Sequence, residues 1–290
     1  MLRGKLFGLA GAAALLSTAA IAADLPPPLP PPMYRAPVVV EGGWYLRGDV
    51  GVGAQSFKDF AFTQTNYSGG FVWPASWRID QKDMKSATFA GFGIGYAWNN
   101  WLRFDFTGEY RANVPFKALG SYTEFCPGGR CFDAYDGNHS AWVTMVNAYV
   151  DLGTWWCLTP FVGLGVGSAY HTVHSVTDVG YITGPGTTGF GYASQDSFSK
   201  WNLAWAAHAG VAYNVSSSFK VELAYRYLNM GNVQTGIVDC SGFTCSGGGP
   251  RAYYTMTNFE SHDLRIGLRF MLQPEAPLPY PPPPPLIRKG

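Results

Sequence analysis

Charged side chains are scarce in this chain. Asp, Glu, Lys and Arg make up 13% of the 290 residues, whereas ordinary soluble domains carry roughly a quarter. The 20 basic and 19 acidic residues leave a formal net charge of +1, which gives no electrostatic support to a nucleic-acid partner. Low charge, 36 glycines and 16% aromatic residues together favour a barrel that faces lipid over a soluble enzyme.

Long apolar runs are absent beyond the first 22 residues, which excludes a helical membrane protein. The N-terminal run follows Arg3 and Lys5 and ends in small residues. This order predicts a signal peptide over 1–22 that is cleaved before Ala23, with an uncleaved anchor as the alternative.

Eight later segments alternate between apolar and polar side chains, as half-buried β-strands do. They lie near 44–57, 84–98, 101–111, 140–152, 158–172, 198–214, 219–230 and 259–271. The connections between them run long, short, long, short, long, short, long, which is typical of outer-membrane barrels with both termini in the periplasm. The sequence therefore predicts an all-β fold, an eight-stranded antiparallel up-and-down transmembrane β-barrel with long extracellular loops and short periplasmic turns.

The barrel is expected to occupy residues 43–271 between two Pro-rich periplasmic tails, 23–42 and 272–290, whose composition cannot build a packed core. Function in small barrels usually lies in the long loops. The predicted loops are 58–83, 112–139, 173–197 and 231–258.

The polar strand faces carry nearly balanced charge, whereas the apolar faces carry none. The residues predicted to form a charge network in the lumen are Arg47, Asp49, Arg103, Asp105, Glu109, Arg111, Asp151, Lys220, Glu222, Arg226, Asp263, Arg265 and Arg269. Eight strands enclose a space that side chains can fill, whereas open porins need about 16–18 strands. We therefore expect a filled lumen, with the glycines of 91–95 and 163–167 making room for long side chains.

Only five cysteines occur, and in an exported chain disulfides are the default. Cys126 and Cys131 share the second long connection, and Cys240 and Cys245 share the fourth. Two local disulfides are predicted, with pairing between loops or a metal site as the alternatives. Cys157 is expected to stay unpaired.

Catalytic, metal and cofactor sites are not predicted. Ser261, His262 and Asp263 have the residue types of a hydrolase triad, but consecutive strand residues point to opposite faces. The same rule separates His171 from His174, so these two and His139 are interpreted as loop histidines rather than a metal or haem site.

The chain resembles the small outer-membrane proteins of alphaproteobacteria, a branch of the OmpA-like and opacity-type porin family. The resemblance spans about 43–271 and is carried by the runs at 43–51, 156–163 and 261–270. It implies insertion by the barrel-assembly machinery through a closing strand that ends at Phe270, and contact with outer-membrane lipid and lipopolysaccharide. Some relatives are joined to peptidoglycan, which makes Ala23 the candidate attachment residue.

The expected function is a non-enzymatic outer-membrane barrel that supports the envelope and displays surface loops. A small porin for solutes and a surface adhesin or haem-binding protein are the alternatives. A lipid-modifying enzyme is a further class, disfavoured because no Ser, His and acidic side chains converge on one strand face.

Overall fold

The computed structural model describes residues 42–65, 76–124, 126, 129–184, 187–242 and 251–272. The predicted signal peptide, Ala23, Cys245 and nearly all of both Pro-rich tails lie outside these ranges. In the described part of the chain, no helix has the length and apolar character needed to cross a membrane.

The described residues form thirteen strands. Their bounds are β1 Gly43–Ser56, β2 Asp59–Thr65, β3 Arg78–Met84, β4 Ala87–Ala97, β5 Leu102–Tyr122, β6 Cys131–Asp151, β7 Leu158–Gly184, β8 Thr187–Asn214, β9 Phe219–Asn229, β10 Val233–Gln234, β11 Asp239–Gly242, β12 Arg251–Thr257 and β13 Glu260–Met271.

Eight of these strands close into a ring, in the order β1-β4-β5-β6-β7-β8-β9-β13 and back to β1. Every pairing in the ring is antiparallel. Full closure leaves no strand edge within the ring, which lets the backbone satisfy its hydrogen bonds internally. The predicted eight-stranded antiparallel barrel is confirmed.

The outer surface of the ring is apolar because side chains alternate along each strand. In β13, Leu264, Ile266 and Leu268 are about half exposed, while Asp263 and Arg265 are buried. Aromatic side chains mark both margins of this apolar band. They are Trp44, Trp98, Trp101 and Trp155 at the end with the short turns, and Tyr110, Trp142, Tyr170 and Trp201 at the opposite end. We call these the short-turn end and the extended end.

The bounds predicted for the four central strands were wrong at the extended end. β5 continues to Tyr122 and β6 begins at Cys131. In the same way, β7 continues to Gly184 and β8 begins at Thr187. Most of the predicted loops 112–139 and 173–197 is therefore β-structure. Beyond the aromatic margin burial still alternates and pairing continues, but the outer face there includes polar side chains such as Lys117 and Asp136, so the apolar row that marks a lipid-facing strand ends.

The other two long connections also contain strands. β2 and β3 lie in 58–83, and β10, β11 and β12 lie in 231–258. Together with the prolonged parts of β5–β8 they make up what we call the extension. Its core is formed by rings such as Phe60, Phe116, Tyr135 and Tyr254.

The core of the extension continues into the barrel without a break. The same cluster includes Val143, Met145, Ala169, Ala204 and Ala206, which lie on the inner faces of β6, β7 and β8. The lumen therefore has an apolar side along these strands and a charged side along β1, β5, β9 and β13.

Candidate functional site: the lumen and the extension

One buried charge cluster lies near the aromatic margin of the extended end and joins β5, β9 and β13. Asp263 accepts from the Nη2 atoms of both Arg111 and Arg226, at 2.7 and 2.6 Å. Glu109 accepts from the same two arginines, at 3.1 Å from Arg111 and 2.7 Å from Arg226. Ser261 adds a hydroxyl that accepts from Arg111 and donates to Asp263. Two carboxylates thus neutralise two guanidinium groups with short, multidentate bonds.

A second cluster lies nearer the short-turn end. Arg47 binds Asp105 at 2.6 Å and Asp49 at 2.8 Å. Glu222 lies 3.1–3.5 Å from nitrogen atoms of Arg47, Arg103 and Arg269. The remaining pairs are Arg103 with Asp151 at 3.1 Å and Arg265 with Asp49 at 3.9 Å. Lys220 is also buried on this inner face, so the structure places all thirteen predicted lumen residues inside the ring.

Aromatic side chains share the lumen with these charges, and the sequence reasoning missed them. The Arg103 guanidinium lies 4.2 Å from the Tyr149 ring centre and 4.7 Å from that of Phe161, a cation–π arrangement. Tyr45 donates to Asp105. The sequence could have placed Tyr45 in the lumen, because residues two apart in a strand point to the same face and Tyr45 is two residues before Arg47.

Glycines in β4 and β7 line the inner wall where these bulky groups approach. A Cβ atom on Gly95 would lie 2.2 Å from the Tyr45 ring, and one on Gly163 would lie 2.4 Å from the Tyr149 ring. One on Gly93 would lie 3.2 Å from the Arg47 side chain. These positions make room for neighbouring side chains.

The lumen is filled by side chains at the level of the charges. Arg103, Arg111 and Asp263 are each at most 1% exposed. Because the carboxylates and guanidinium groups bind one another across the ring, the interior is a cross-linked plug of side chains.

The histidines lie in strands, so the loop assignment was wrong. His171 and His174 do point to opposite faces: His171 is buried inside, and His174 contacts Ser140 outside. His139 Nε2 lies 2.9 Å from His171 Nδ1, and His171 Nε2 lies 3.0 Å from the Met230 carbonyl oxygen. This contact was missed because the β6–β7 register, which brings the two rings together, is set by pairing at a distance in sequence.

The Ser-His-Asp run is split by its strand. Ser261 and Asp263 lie inside the barrel, whereas His262 points outward and its Nδ1 lies 2.6 Å from the Tyr225 hydroxyl. Among the described residues, no group of three or more His, Cys, Asp or Glu side chains could hold a metal ion.

Two carboxylates are held inside the extension. Asp178 accepts from the Tyr254 hydroxyl and Asp133 from the Tyr135 hydroxyl. Burial, and for Asp178 also the charge of Asp133, raises the pKa of Asp133 to about 6 and that of Asp178 to about 7. At mildly acidic pH these two carboxyl groups therefore keep protons that ordinary Asp side chains have already released.

The cysteines of the second connection form the predicted disulfide, Cys126–Cys131. Cys157 is exposed at the short-turn end and is not disulfide-bonded. Cys240 lies in β11, but the predicted bridge to Cys245 involves a residue outside the described ranges. Phe270 points outward near the end of β13 and is half exposed.

Comparison with known proteins places this architecture in a family. The family model for the outer membrane protein beta-barrel domain matches residues 10–270. An uncharacterized protein of Brucella suis is 31% identical, and the match covers 84% of this chain and 87% of the relative. A putative adhesin of Rickettsia prowazekii is 27% identical over 80% of this chain and 88% of its own length.

Solved structures with a similar fold include Neisserial surface protein A and the outer membrane protein OprG of Pseudomonas aeruginosa. The first has 15% identity and a TM-score of 0.44, and covers 79% of this chain and 97% of its own. The second has 12% identity and a TM-score of 0.43, and covers 80% and 97%. The extent of the family match settles membership and compartment: this chain belongs to the outer membrane β-barrel domain family of the bacterial outer membrane.

Proposed function

We propose that this protein is a non-enzymatic outer-membrane barrel that holds the extension at the cell surface as a contact surface for macromolecules outside the cell. In this proposal both termini and the short turns lie in the periplasm. The barrel serves as the anchor and adds mechanical support to the envelope.

The observation that carries the proposal is the uninterrupted passage of β5–β8 from the barrel into the extension. A bare anchor needs only strands that span the bilayer, about 9–11 residues each, yet β7 spans Leu158–Gly184 and β8 spans Thr187–Asn214. The additional chain builds a folded body with its own buried rings. A folded body beyond the bilayer exposes protein surface that another macromolecule can contact.

The relatives support contact over transport. The putative adhesins of Rickettsia prowazekii and Rickettsia conorii match 80% of this chain at 27% and 28% identity. The filled lumen speaks against a solute pore, which is the second class of function. Purified protein in planar bilayers is therefore expected to give no stable conductance, and reproducible channels from the monomer would favour the pore.

A cell-attachment assay tests the surface-contact proposal. A bacterium that does not attach to cultured host cells would express either the full chain or a variant whose β5–β6 and β7–β8 hairpins are shortened to the aromatic margin. We expect attachment only with the full chain. The altered gel mobility of unheated barrels would control for assembly of the shortened variant. Equal attachment by both forms would contradict the proposal.

The apolar outer surface of the barrel supports the proposed contacts with outer-membrane lipid and lipopolysaccharide. Recognition of Phe270 by the assembly machinery and attachment of peptidoglycan at Ala23 or through the tails remain proposals. Attachment at Ala23 can be tested by mass spectrometry of the peptides released from purified cell wall, where an N-terminal peptide that carries a peptidoglycan fragment is expected.

A further inference from the structure

The wall of the molecule is split on one side of the extension. β1 pairs with β4 as far as Gly53 and Ala87. Beyond that pair the two chains separate, because β2 follows β12 while β3 follows β5. β2 and β3 therefore each have only one paired edge among the described residues.

The free edge of β2 carries none of the features that normally block strand addition. Its sequence, Asp59–Thr65, has one charge at its start and no proline, glycine or bulge. Phe60 anchors it, since this buried ring packs 5.1 Å from Tyr135 and 5.2 Å from Tyr254 between ring centres. A firmly held strand with an unprotected edge is a template for pairing with another chain.

The facing edge of β3 is protected. A register shift between Ile79 and Gln81 leaves Asp80 as an extra residue, and the Arg78 side chain binds it at 2.9 Å. The Lys82 ammonium donates to the carbonyl oxygens of Phe57 and Lys58, both at 2.5 Å. The bulge keeps the β3 edge from pairing. The Lys82 contact covers only the two carbonyl oxygens that precede β2, so strand addition is directed to Asp59–Thr65.

A cleft of about 270 Å³ lies between the two edges. Its lining residues are Lys58, Asp59, Phe60, Ile79, Asp80, Gln81 and Lys82. Because β2 forms one wall and β3 the other, an extended segment that pairs with β2, at about 4.8 Å from it, would lie between the two strands.

At the end nearer the barrel the cleft is lined by two lysines and by the carboxylate of Asp59, so the net charge there is positive. Asp80 is neutralised by Arg78, whereas exposed Lys58 has no acidic partner in the described part of the chain. Lys82 contacts only carbonyl oxygens and the Phe57 ring among these residues. An incoming segment is thus favoured when it brings a carboxylate to this end.

We propose that this cleft binds an extended polypeptide segment of a partner protein, which adds as a strand to the free edge of β2 and sets an acidic residue beside Lys58. Main-chain hydrogen bonds supply the affinity of such strand addition, and side-chain pockets its selectivity. The partner in the proposed surface contact would then be a protein with an extended segment, and its encounter at the cell surface rests on the proposed function.

Peptide selection on the whole protein tests the cleft. The full chain in phosphatidylcholine nanodiscs would be panned against a phage-displayed library of random heptapeptides, and the enriched peptides synthesised. We expect proline-poor sequences with an acidic residue toward one end. Their binding should slow amide hydrogen exchange in 59–65 but leave Val114–Ser121 of β5 unchanged, since β5 is paired on both sides. Absence of enrichment, or protection confined to other segments, would overturn the proposal.

Charge variants sharpen the test. Lys58→Gln should weaken an acidic peptide about tenfold, a difference of about 1.4 kcal/mol, and should not affect the same peptide with its acidic residue changed to Ala. Lys85→Gln is the matched control, because Lys85 is exposed nearby and lies 3.7 Å from Asp83. If both variants weakened binding equally, the acidic residue of the peptide would not lie beside Lys58. Peptide binding needs no host cell, so it and the attachment assay can fail independently.

Discussion

At the residue scale, Asp263 is one of the two carboxylates that neutralise a pair of buried arginines. Its two oxygens bind Arg111 and Arg226, and all three side chains are buried. Removing one partner of a buried ion pair leaves an uncompensated charge, which costs about 3–5 kcal/mol. Asp263→Ala should therefore lower the free energy of unfolding by about that amount, measured by urea titration in detergent micelles.

The adjacent residue supplies the control for this substitution. His262 lies on the same strand but faces outward and contacts only rings and a hydroxyl on the surface. His262→Ala should change stability by less than about 1 kcal/mol. A similar loss in both variants would mean that the strand, rather than the charge pairing, sets the stability.

The Asp133 and Asp178 pair predicts a pH dependence of the extension. In the folded state their pKa values are raised to about 6 and about 7, above the ordinary 3.8. The folded state therefore binds more protons than the unfolded state between about pH 4 and pH 7. Stability must fall as the pH rises through this window. Larger protection factors of Tyr135 and its neighbours at pH 5 than at pH 8, each calculated from the exchange rate and the intrinsic amide exchange rate at that pH, would show it.

Asp178→Asn should flatten that pH profile, because the amide keeps the shape of the side chain but does not titrate. Asp136→Asn is the matched control, since Asp136 is exposed and bound to Lys117 at 3.0 Å. If the profile of Asp178→Asn stayed as steep as that of the parent protein, the pH dependence would have another origin.

At the element scale, the inner glycines of β4 test how tightly the lumen is filled. Gly95→Ala would place a Cβ atom 2.2 Å from the Tyr45 ring. Overpacking of this kind typically costs about 1–3 kcal/mol. Gly108→Ala in β5 is the control, because its Cβ would point into open space on the outer face. The fraction of folded barrel after refolding, read from gel mobility, should drop only for Gly95→Ala.

The membrane-spanning parts of the strands could be predicted from sequence because lipid imposes a rule on every second residue. Leu264, Ile266 and Leu268 must be apolar on one face, which leaves Asp263 and Arg265 for the other. That rule also placed the charged residues of the lumen on the inner faces before any contact was known. It could not say which arginine binds which carboxylate, because the partners are set by register across several strands.

The extension escaped prediction because it obeys no such rule. Lys117, Asp136 and Thr177 lie side by side on its outer face, where water accepts any residue. Its core is one cluster whose rings, such as Phe116 and Tyr254, come from segments far apart in the sequence. With neither face constrained by lipid, paired strands with mixed faces look like loops.

At the scale of the whole molecule, orientation in the membrane is testable with two thiols. Cys157 is exposed at the short-turn end, and Lys117 is exposed on the extension. In intact cells, a membrane-impermeant maleimide should label Lys117→Cys, tested in a Cys157→Ser background. Cys157 of the parent protein should react only after the outer membrane is permeabilised. The reverse pattern would invert the proposed topology and place the β2–β3 cleft in the periplasm.

The continuity of β5–β8 has a mechanical consequence. A molecule bound to the extension and pulled away by flow exerts a force directed along strands that run without a joint into the bilayer. Their hydrogen bonds lie across that direction, so the load is shared as shear by many bonds at once. The paired lumen charges resist flattening of the ring under the same load. A surface held in this way should fail first at the partner's contact, and the anchor should stay in the membrane.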